Sequence, residues 1–435
     1  MRSLKVLREY HGSYELVGRL EKSGRGGEEG PRFSYDPAYL NRSTAAPVSG
    51  SMPLVSGRFS ARETRAFFDG LIPEGPMREA FERSTRAGRN DFFTVLEAVR
   101  NEPIGALIFS TDEGQVELQG SYEPLATNDL IRLAEAPGET AVSYSLKSRI
   151  SLAGAQSKIG LYLAPGSKER AWFLPRGAAP STHILKACNS VYPNETVNEA
   201  ICLRAARLFE IDTPDCFLIR AGGTAPILVV ERYDREIPSA GARHIGGLAV
   251  PRRLHQVDAC QASGLLGADF KYEPSGVSYL NRLASLISEM SPDPYQDRIS
   301  LVYRQLFHFV IGNADNHLKN WSFLYDEDWE LVGLAPLYDV LDTTIYENLR
   351  LEMGVSFGGS RRLCDVTRDM VFDTFAAVGV PDAIVRGAIG DTVKEISHCI
   401  ERAASDLVNE GFPEARDVVD LMRGGMEERL AVLKG

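Results

Sequence analysis

Apolar residues at Ile299, Val302, Leu306, Phe309 and Val310 recur with a helical period, and Gly312 stands where such a helix would stop. The run G-N-A-D-N-H-L-K-N (312–320) follows as a polar loop. Residues 321–325 and 329–334 then flank an acidic turn and predict a short hairpin, after which come Tyr338 and Asp339. Upstream, strands are predicted at 159–163, 171–174 and 182–186. A helix over 197–209 carries Val197, Ile201, Ala205 and Leu208 on one face. Two more strands, 216–220 and 225–231, complete the section, the second running straight into R-Y-D-R (232–235). Three strands, a helix, two strands and a linker is the order of a kinase small lobe. Helix, polar loop, hairpin and acidic loop is the order in which a kinase large lobe builds its metal site.

The remaining pattern fills in the organisation. Residues 1–125 read as a separate α+β unit, with a strand at 14–20 and a glycine-rich loop at 21–32. A helix over 59–70 is opened by a Ser60/Glu63 capping box and ended by Gly70. A second helix is expected at 92–99, and strands at 103–110 and 115–118 joined by the turn T-D-E-G. Nothing catalytic stands out there. The small lobe spans 140–235 and the large lobe 236–435, with a helix at 279–290 and further helices after Phe372. The expected class is α+β: a bilobal, protein-kinase-like fold with a β-rich small lobe, an extra N-terminal α+β subdomain and an all-helical large lobe.

Composition narrows the setting. Over 435 residues, 44% hydrophobic and 25% charged content are ordinary globular values. No apolar run approaches the roughly 20 residues of a membrane span, and the first nine residues lack a signal-peptide core. The six cysteines are scattered without C-x-x-C pairs, as expected of reduced thiols in the cytoplasm. A net charge of −11 argues against extensive DNA binding by this chain alone and leaves room for a basic partner.

The candidate chemistry is phosphoryl transfer. Asp315 and Asn320 have the spacing of a kinase catalytic loop, in which the Asp orients the attacking hydroxyl and the Asn holds Mg²⁺. Asp339 stands where a second metal-binding carboxylate belongs. ATP is a polyanion, so oxygen ligands must hold the metal against its phosphates. A D-x-x-x-x-N pair is weak by itself. His308, Asp315 and His317 could instead ligate a hydrolase metal, although His308 reads better as helix packing. The upstream half decides for the kinase. The loop around Gly154 can turn N–H groups toward phosphate, and Lys186 can set an ammonium on the α/β phosphates. Glu199 could pair with Lys186, but T-V-N-E (196–199) is also a capping box, and the cap is the favoured reading. Glu231, Arg232 and Tyr233 fall where a hinge would meet adenine, and Asp234 could bind ribose. A charged strand end is the plain alternative.

Together, S-L-A-G-A-Q-S-K (151–158), T-H-I-L-K (182–186), V-E-R-Y-D-R (230–235), G-N-A-D-N-H-L-K-N (312–320) and P-L-Y-D (336–339) resemble the HipA family of bacterial serine/threonine kinase toxins, in family order. The resemblance implies Asp315 as catalytic base, with Asn320 and Asp339 as Mg²⁺ ligands. It implies phosphate contacts from Ala153, Gly154, Ala155, Gln156, Ser157, Lys158 and Lys186. It adds His317 and Lys319 as ATP-site residues and 231–233 as the adenine hinge. Tyr233 stands in place of the more usual Phe, and Ser157 at a site often acidic. The family's self-inhibiting phosphorylation falls on Ser151; a phosphate of about −1.5 to −2 charges in a loop that cradles ATP would repel nucleotide. Ser151 capping the loop is the simpler alternative. Family partners are a small helix-turn-helix, HipB-like antitoxin, operator DNA mainly through it, and protein targets such as an aminoacyl-tRNA synthetase. A catalytically silent corepressor and a small-molecule kinase are the competing readings.

Overall fold

The computed structural model describes all residues except 1, 24–29, 100–102, 112–118, 149–151, 153–156, 167–170, 189–190, 348 and 350. The expected strand at 115–118, Ser151, and Ala153, Gly154, Ala155 and Gln156 therefore lie outside the described residues.

The N-terminal region is built on a four-stranded antiparallel sheet. Its strands are β1 (Arg2–Tyr10), β2 (Ser13–Lys22), β3 (Arg32–Tyr35) and β4 (Leu107–Ser110), in the order β3-β2-β1-β4. Phe33, Phe68 and Phe109 pack together beneath it, with ring centroids 5.3 and 6.0 Å apart. The expected capping box forms: Ser60 accepts from the Glu63 N–H, and Glu63 accepts from the Ser60 N–H. Its helix, Ala61–Phe68, buries Ala66, Phe67 and Phe68 against the sheet. Sequence reading did not anticipate β1 or the helix Gly75–Thr85.

A second, six-stranded sheet comprises β5 (Gly120–Pro124), β6 (Lys158–Leu163), β7 (Trp172–Gly177), β8 (His183–Ala187), β9 (Cys216–Ile219) and β10 (Ile227–Glu231). The order is β5-β7-β6-β8-β10-β9. β5 lies inside the stretch assigned to the N-terminal unit, yet its hydrogen bonds go to β7. β5 therefore belongs to the second sheet. The register sets Lys158 directly opposite Lys186, so both ammoniums leave the same face of the sheet.

The helix Glu195–Leu208 packs against β9 and β10 on one side and the long helix Asp382–Asn409 on the other. That explains why Thr196, Asn198 and Glu199 are as buried as Val197 and Ile201. Leu208, expected on its apolar face, is exposed.

The large lobe is not all-helical. Five main helices (Tyr279–Met290, Pro294–Ile311, Arg368–Ala377, Asp382–Asn409, Glu414–Lys434) surround two small sheets. In one, Gln256–Asp258 pairs with Ser322–Tyr325, which pairs with Leu331–Leu334. In the other, Glu352–Phe357 pairs with Ser360–Arg362. The strands give irregular polar loops the backbone partners that a helix would deny them. Gly354, for example, runs so close to the loop 312–320 that a Cβ would clash with the Asn316 carbonyl oxygen. No helix among the described residues is long and apolar enough to cross a membrane.

The N-terminal region is fastened to the large lobe by buried polar bonds. Arg253 meets Glu9 at 2.7 Å, Trp329 donates its indole N–H to the Glu9 carbonyl at 3.2 Å, and Gln261 donates to the Phe67 carbonyl at 3.0 Å. Leu71, Glu74, Met77 and Ile104 of this region line one side of the central cleft.

Candidate active site between the lobes

The helix Pro294–Ile311 delivers the polar loop. It ends at Gly312, whose φ of +83° lies in the left-handed region, and a Cβ there would meet Arg429 and Asp342 at 2.7 Å. Glycine satisfies both constraints. Beyond it the loop is tied internally. Thr343 accepts from the Ala314 N–H at 2.9 Å and donates to the Gly312 carbonyl at 3.0 Å. The Asn320 amide donates to the Asp315 carbonyl at 2.9 Å, closing the five-residue span that the sequence spacing suggested.

The hairpin then returns the chain to the same place. The Tyr338 hydroxyl donates to the Lys319 carbonyl at 2.7 Å and lies 2.6 Å from the Ser322 hydroxyl. Asp339 follows in the left-handed region at φ +51°, a conformation Asp tolerates better than most residues. Its carboxylate forms an ion pair with Lys186, which also meets Glu199 at 2.6 Å. Segments 153 residues apart thus converge across the lobes. Burial alone would depress Lys186, but Asp339 and then Glu199 outweigh it and raise its pKa. Asp339 is correspondingly held well below its ordinary range, first by Lys186 and then by Lys158, against the effect of burial.

The Lys186–Glu199 bond corrects the favoured capping reading of Glu199. The helix begins two residues earlier, at Glu195 after Asn194, and the Thr196 hydroxyl donates to the Pro226 carbonyl at 2.9 Å instead of capping. Asp234 borders the cleft but is engaged within the chain, by Arg232 at 2.9 and 2.7 Å, by Arg235 at 2.9 Å and by the Gly105 N–H at 2.9 Å. Arg232 likewise serves the hinge's architecture. Of the hinge N–H groups, Glu231's goes to the Asp215 carbonyl and Arg232's to the Thr182 carbonyl. Tyr233 turns its hydroxyl to Gln256 at 2.5 Å.

His317 lines the same cleft, its ring edge-on to Tyr272 at 5.2 Å. Burial lowers its pKa despite the neighbouring Asp315. Tyr272 donates a hydrogen bond to the Asp315 carboxylate. Lys319 is held by Glu74 at 2.9 Å and Asp258 at 3.4 Å, and Lys271 meets Glu74 at 3.0 Å. Burial would raise Glu74, yet Lys319 and then Lys271 overcome it and hold the carboxyl well below its usual range. Ser157 packs its hydroxyl 3.8 Å from the Met77 sulfur. Lys158, Lys186, Glu231, Tyr233, Asp315, Asn320 and Asp339 all border one cleft of about 1120 Å³. Glu74, Asp258, Lys271, Tyr272 and Thr343 were not found by sequence reading; no local pattern marks them.

Among the described residues no group of three His, Cys, Asp or Glu is placed to hold a metal ion. The donors present suit Mg²⁺. Asn320 and Asp339 offer hard oxygens beside Lys186, and Mg²⁺ is commonly bound by one or two protein oxygens together with phosphates and waters. His308 is a packing residue, its Nδ1 accepting from Asn313 at 3.0 Å.

Two buried imidazoles give a pH prediction. Burial holds His255 down at about 4 and His308 at about 3. Against an unfolded value of about 6.5, the native state binds fewer protons. The stabilisation is complete above pH 6.5 and is lost as pH falls, at a cost on the order of 3 kcal/mol per histidine by pH 4. The urea midpoint should therefore drop steadily from pH 6.5 to 4; a flat profile over that interval refutes the assignment.

A HipA-like C-terminal domain model matches residues 150–403, and a HipA N-terminal domain model matches residues 11–110. A relative from Sinorhizobium fredii designated Y4mE is 33% identical over 409 residues, 92% of each chain. The chain belongs to the HipA family. A serine/threonine-protein kinase toxin HipA from Shewanella oneidensis is 28% identical over 322 residues, covering 71% of this chain and 70% of that one. The HipA fold itself is matched by the Shewanella oneidensis MR-1 HipA–HipB–operator DNA complex. There the TM-score is 0.77 and the identity 22%, over 99% of this chain and 96% of that one.

Proposed function

We propose that this HipA-family chain is an ATP- and Mg²⁺-dependent serine/threonine protein kinase, acting as the toxin of a toxin–antitoxin pair. The observation that carries the reading is the ion pair joining Lys186 to Asp339 and Glu199, at the edge of the cleft that also holds Asp315 and Asn320. Lys158 and Lys186, side by side on one sheet face, suit a polyanion. Asp315 would take the proton of the acceptor hydroxyl as its oxygen bonds to the γ-phosphorus and the bond to the β–γ bridging oxygen breaks, with ADP leaving. Asn320 and Asp339 would hold Mg²⁺, which would neutralise phosphate charge. The Tyr233 N–H, which has no partner among the described residues, suits an adenine contact.

The Shewanella relative, named a kinase toxin, supports the activity by homology, and the HipA–HipB–DNA complex supports a HipB-like helix-turn-helix partner. The acidic chain would meet operator DNA mainly through that partner. Growth arrest would follow from phosphorylating a translation component such as an aminoacyl-tRNA synthetase in the cytoplasm, with inhibitory autophosphorylation at Ser151. A silent corepressor would have no need of Lys186, Asp315, Asn320 and Asp339 together.

Mg-ATP at a hundred times its dissociation constant should stabilise the unphosphorylated protein by about 2.7 kcal/mol, visible as a rise in Tm. After incubation, mass spectrometry should find phosphate on Ser151 and on serines of a lysate protein. Absence of both the thermal shift and the phosphate would favour the corepressor.

A further inference from the structure

The N-terminal domain contributes a charge to the site that the kinase reading does not use. Glu74 occupies the N-cap position of the helix Gly75–Thr85, where a carboxylate would ordinarily accept from its own helix, yet it makes no capping bond. Its two oxygens instead reach two lysines of the large lobe. Oε1 lies 2.9 Å from Lys319 in the catalytic loop, and Oε2 lies 3.0 Å from Lys271. The stem of Lys319 is fixed as well, since a Cβ on Gly267 would meet its Cδ at 2.8 Å.

Both lysines bear on the reacting groups. Lys319 immediately precedes Asn320. Lys271 begins a segment that braces the catalytic loop: its carbonyl accepts from the Leu318 N–H at 3.1 Å, and the next residue, Tyr272, holds the Asp315 carboxylate. Glu273 continues the brace, accepting from the Tyr279 N–H at 2.7 Å and donating its own N–H to the Gly354 carbonyl at 3.1 Å. Gly354 in turn donates to the Ala314 carbonyl at 2.9 Å. One carboxylate thus pins the two segments on either side of Asp315. Charge is balanced as well. Lys271 and Lys319 are matched by Glu74 and Asp258, and losing Glu74 leaves an uncompensated positive charge facing the cleft.

We propose that Glu74 is a positioning residue for phosphoryl transfer, one that steadies the loop carrying Asp315 and Asn320 and restrains the charge that Lys319 offers to nucleotide phosphates. The inference rests on the kinase reading of the cleft. It makes the N-terminal domain a working part of the site, so that catalysis depends on how that domain is seated.

The two effects have opposite signs, which separates them from a simple loss of folded protein. In Glu74→Gln, Lys319 loses its nearer carboxylate and turns toward phosphate, so Mg-ATP should bind at least threefold tighter by calorimetry. The unpinned brace should lower kcat at least fivefold. Partial misfolding would lower the apparent kcat without tightening ATP. Glu74→Asp keeps the charge and should retain wild-type ATP affinity. In a Lys319→Met background the substitution at 74 should leave affinity unchanged. Affinity in folded Glu74→Gln that is equal to or weaker than wild type overturns the proposal, and so does an equal tightening in the Lys319→Met background. If wild type transferred no phosphate while the affinity shift held, the kinase reading would fall and with it the catalytic role of Glu74, while its restraint of Lys319 would stand.

Discussion

Asp315→Asn should lower phosphoryl transfer by a factor of about 100 to 10 000, the range over which a positioned general base contributes. The protein should remain folded. The Asp315 backbone makes the loop's internal bonds, accepting from Asn320 and donating its N–H to the Asn313 side chain at 3.1 Å, and these survive the substitution. Its carboxylate is bonded to Tyr272 at the exposed side of the loop, and an amide oxygen can accept that bond equally well. The expected signature is therefore an unchanged melting curve, retained Mg-ATP binding and almost no labelled product. Retained autophosphorylation in this variant would remove Asp315 from the role of base.

The second large effect belongs to Lys186→Met, which should harm both chemistry and stability. Lys186 and Glu199 have side chains only 6% and 3% exposed. Removing one member of a buried ion pair leaves the other charged and unpaired, at a cost of about 3 to 5 kcal/mol. The Asp339 carboxylate simultaneously loses the cation that holds its pKa down. The urea midpoint should fall, and phosphoryl transfer should disappear. Adding Glu199→Gln to Lys186→Met should recover much of the stability, since the buried group is then neutral, and none of the activity. If the double variant were no more stable than the single one, the pair would not be the buried ionic contact described here.

Much of the local architecture was legible because it rests on short-range patterns. The helix ending at Gly312 needed only apolar spacing and a glycine. The hairpin needed two apolar runs around an acidic turn, and the Ser60/Glu63 capping box needed four residues. The errors were also local in origin. T-V-N-E is a valid capping signal, yet Glu199 lies in the helix interior, because the helix starts at Glu195, two residues earlier than expected, and Lys186 supplies a stronger partner. Asp234, read in sequence as a ribose ligand, also sits between two guanidiniums, which no local pattern announced. The large lobe was read as all-helical beyond its one hairpin because the isolated strands Gln256–Asp258, Glu352–Phe357 and Ser360–Arg362 lie outside any recognisable hairpin pattern in the sequence. Glu74 left no trace at all: a lone carboxylate before a glycine and a proline says nothing about lysines roughly two hundred positions away.

The sequence by itself determined the order of the elements, the catalytic-loop spacing of Asp315 and Asn320, and the family to which the chain belongs. These follow from periodicity and from short motifs, which depend on near neighbours along the chain. The tertiary structure alone decided which carboxylates Lys186 engages, that Asp234 holds the hinge, and that the N-terminal domain reaches Lys319 through Glu74. Each is a choice among partners of similar chemistry far apart in the chain. Burial settles such choices, because a charge removed from water must take whichever opposite charge the fold brings within about 3 Å.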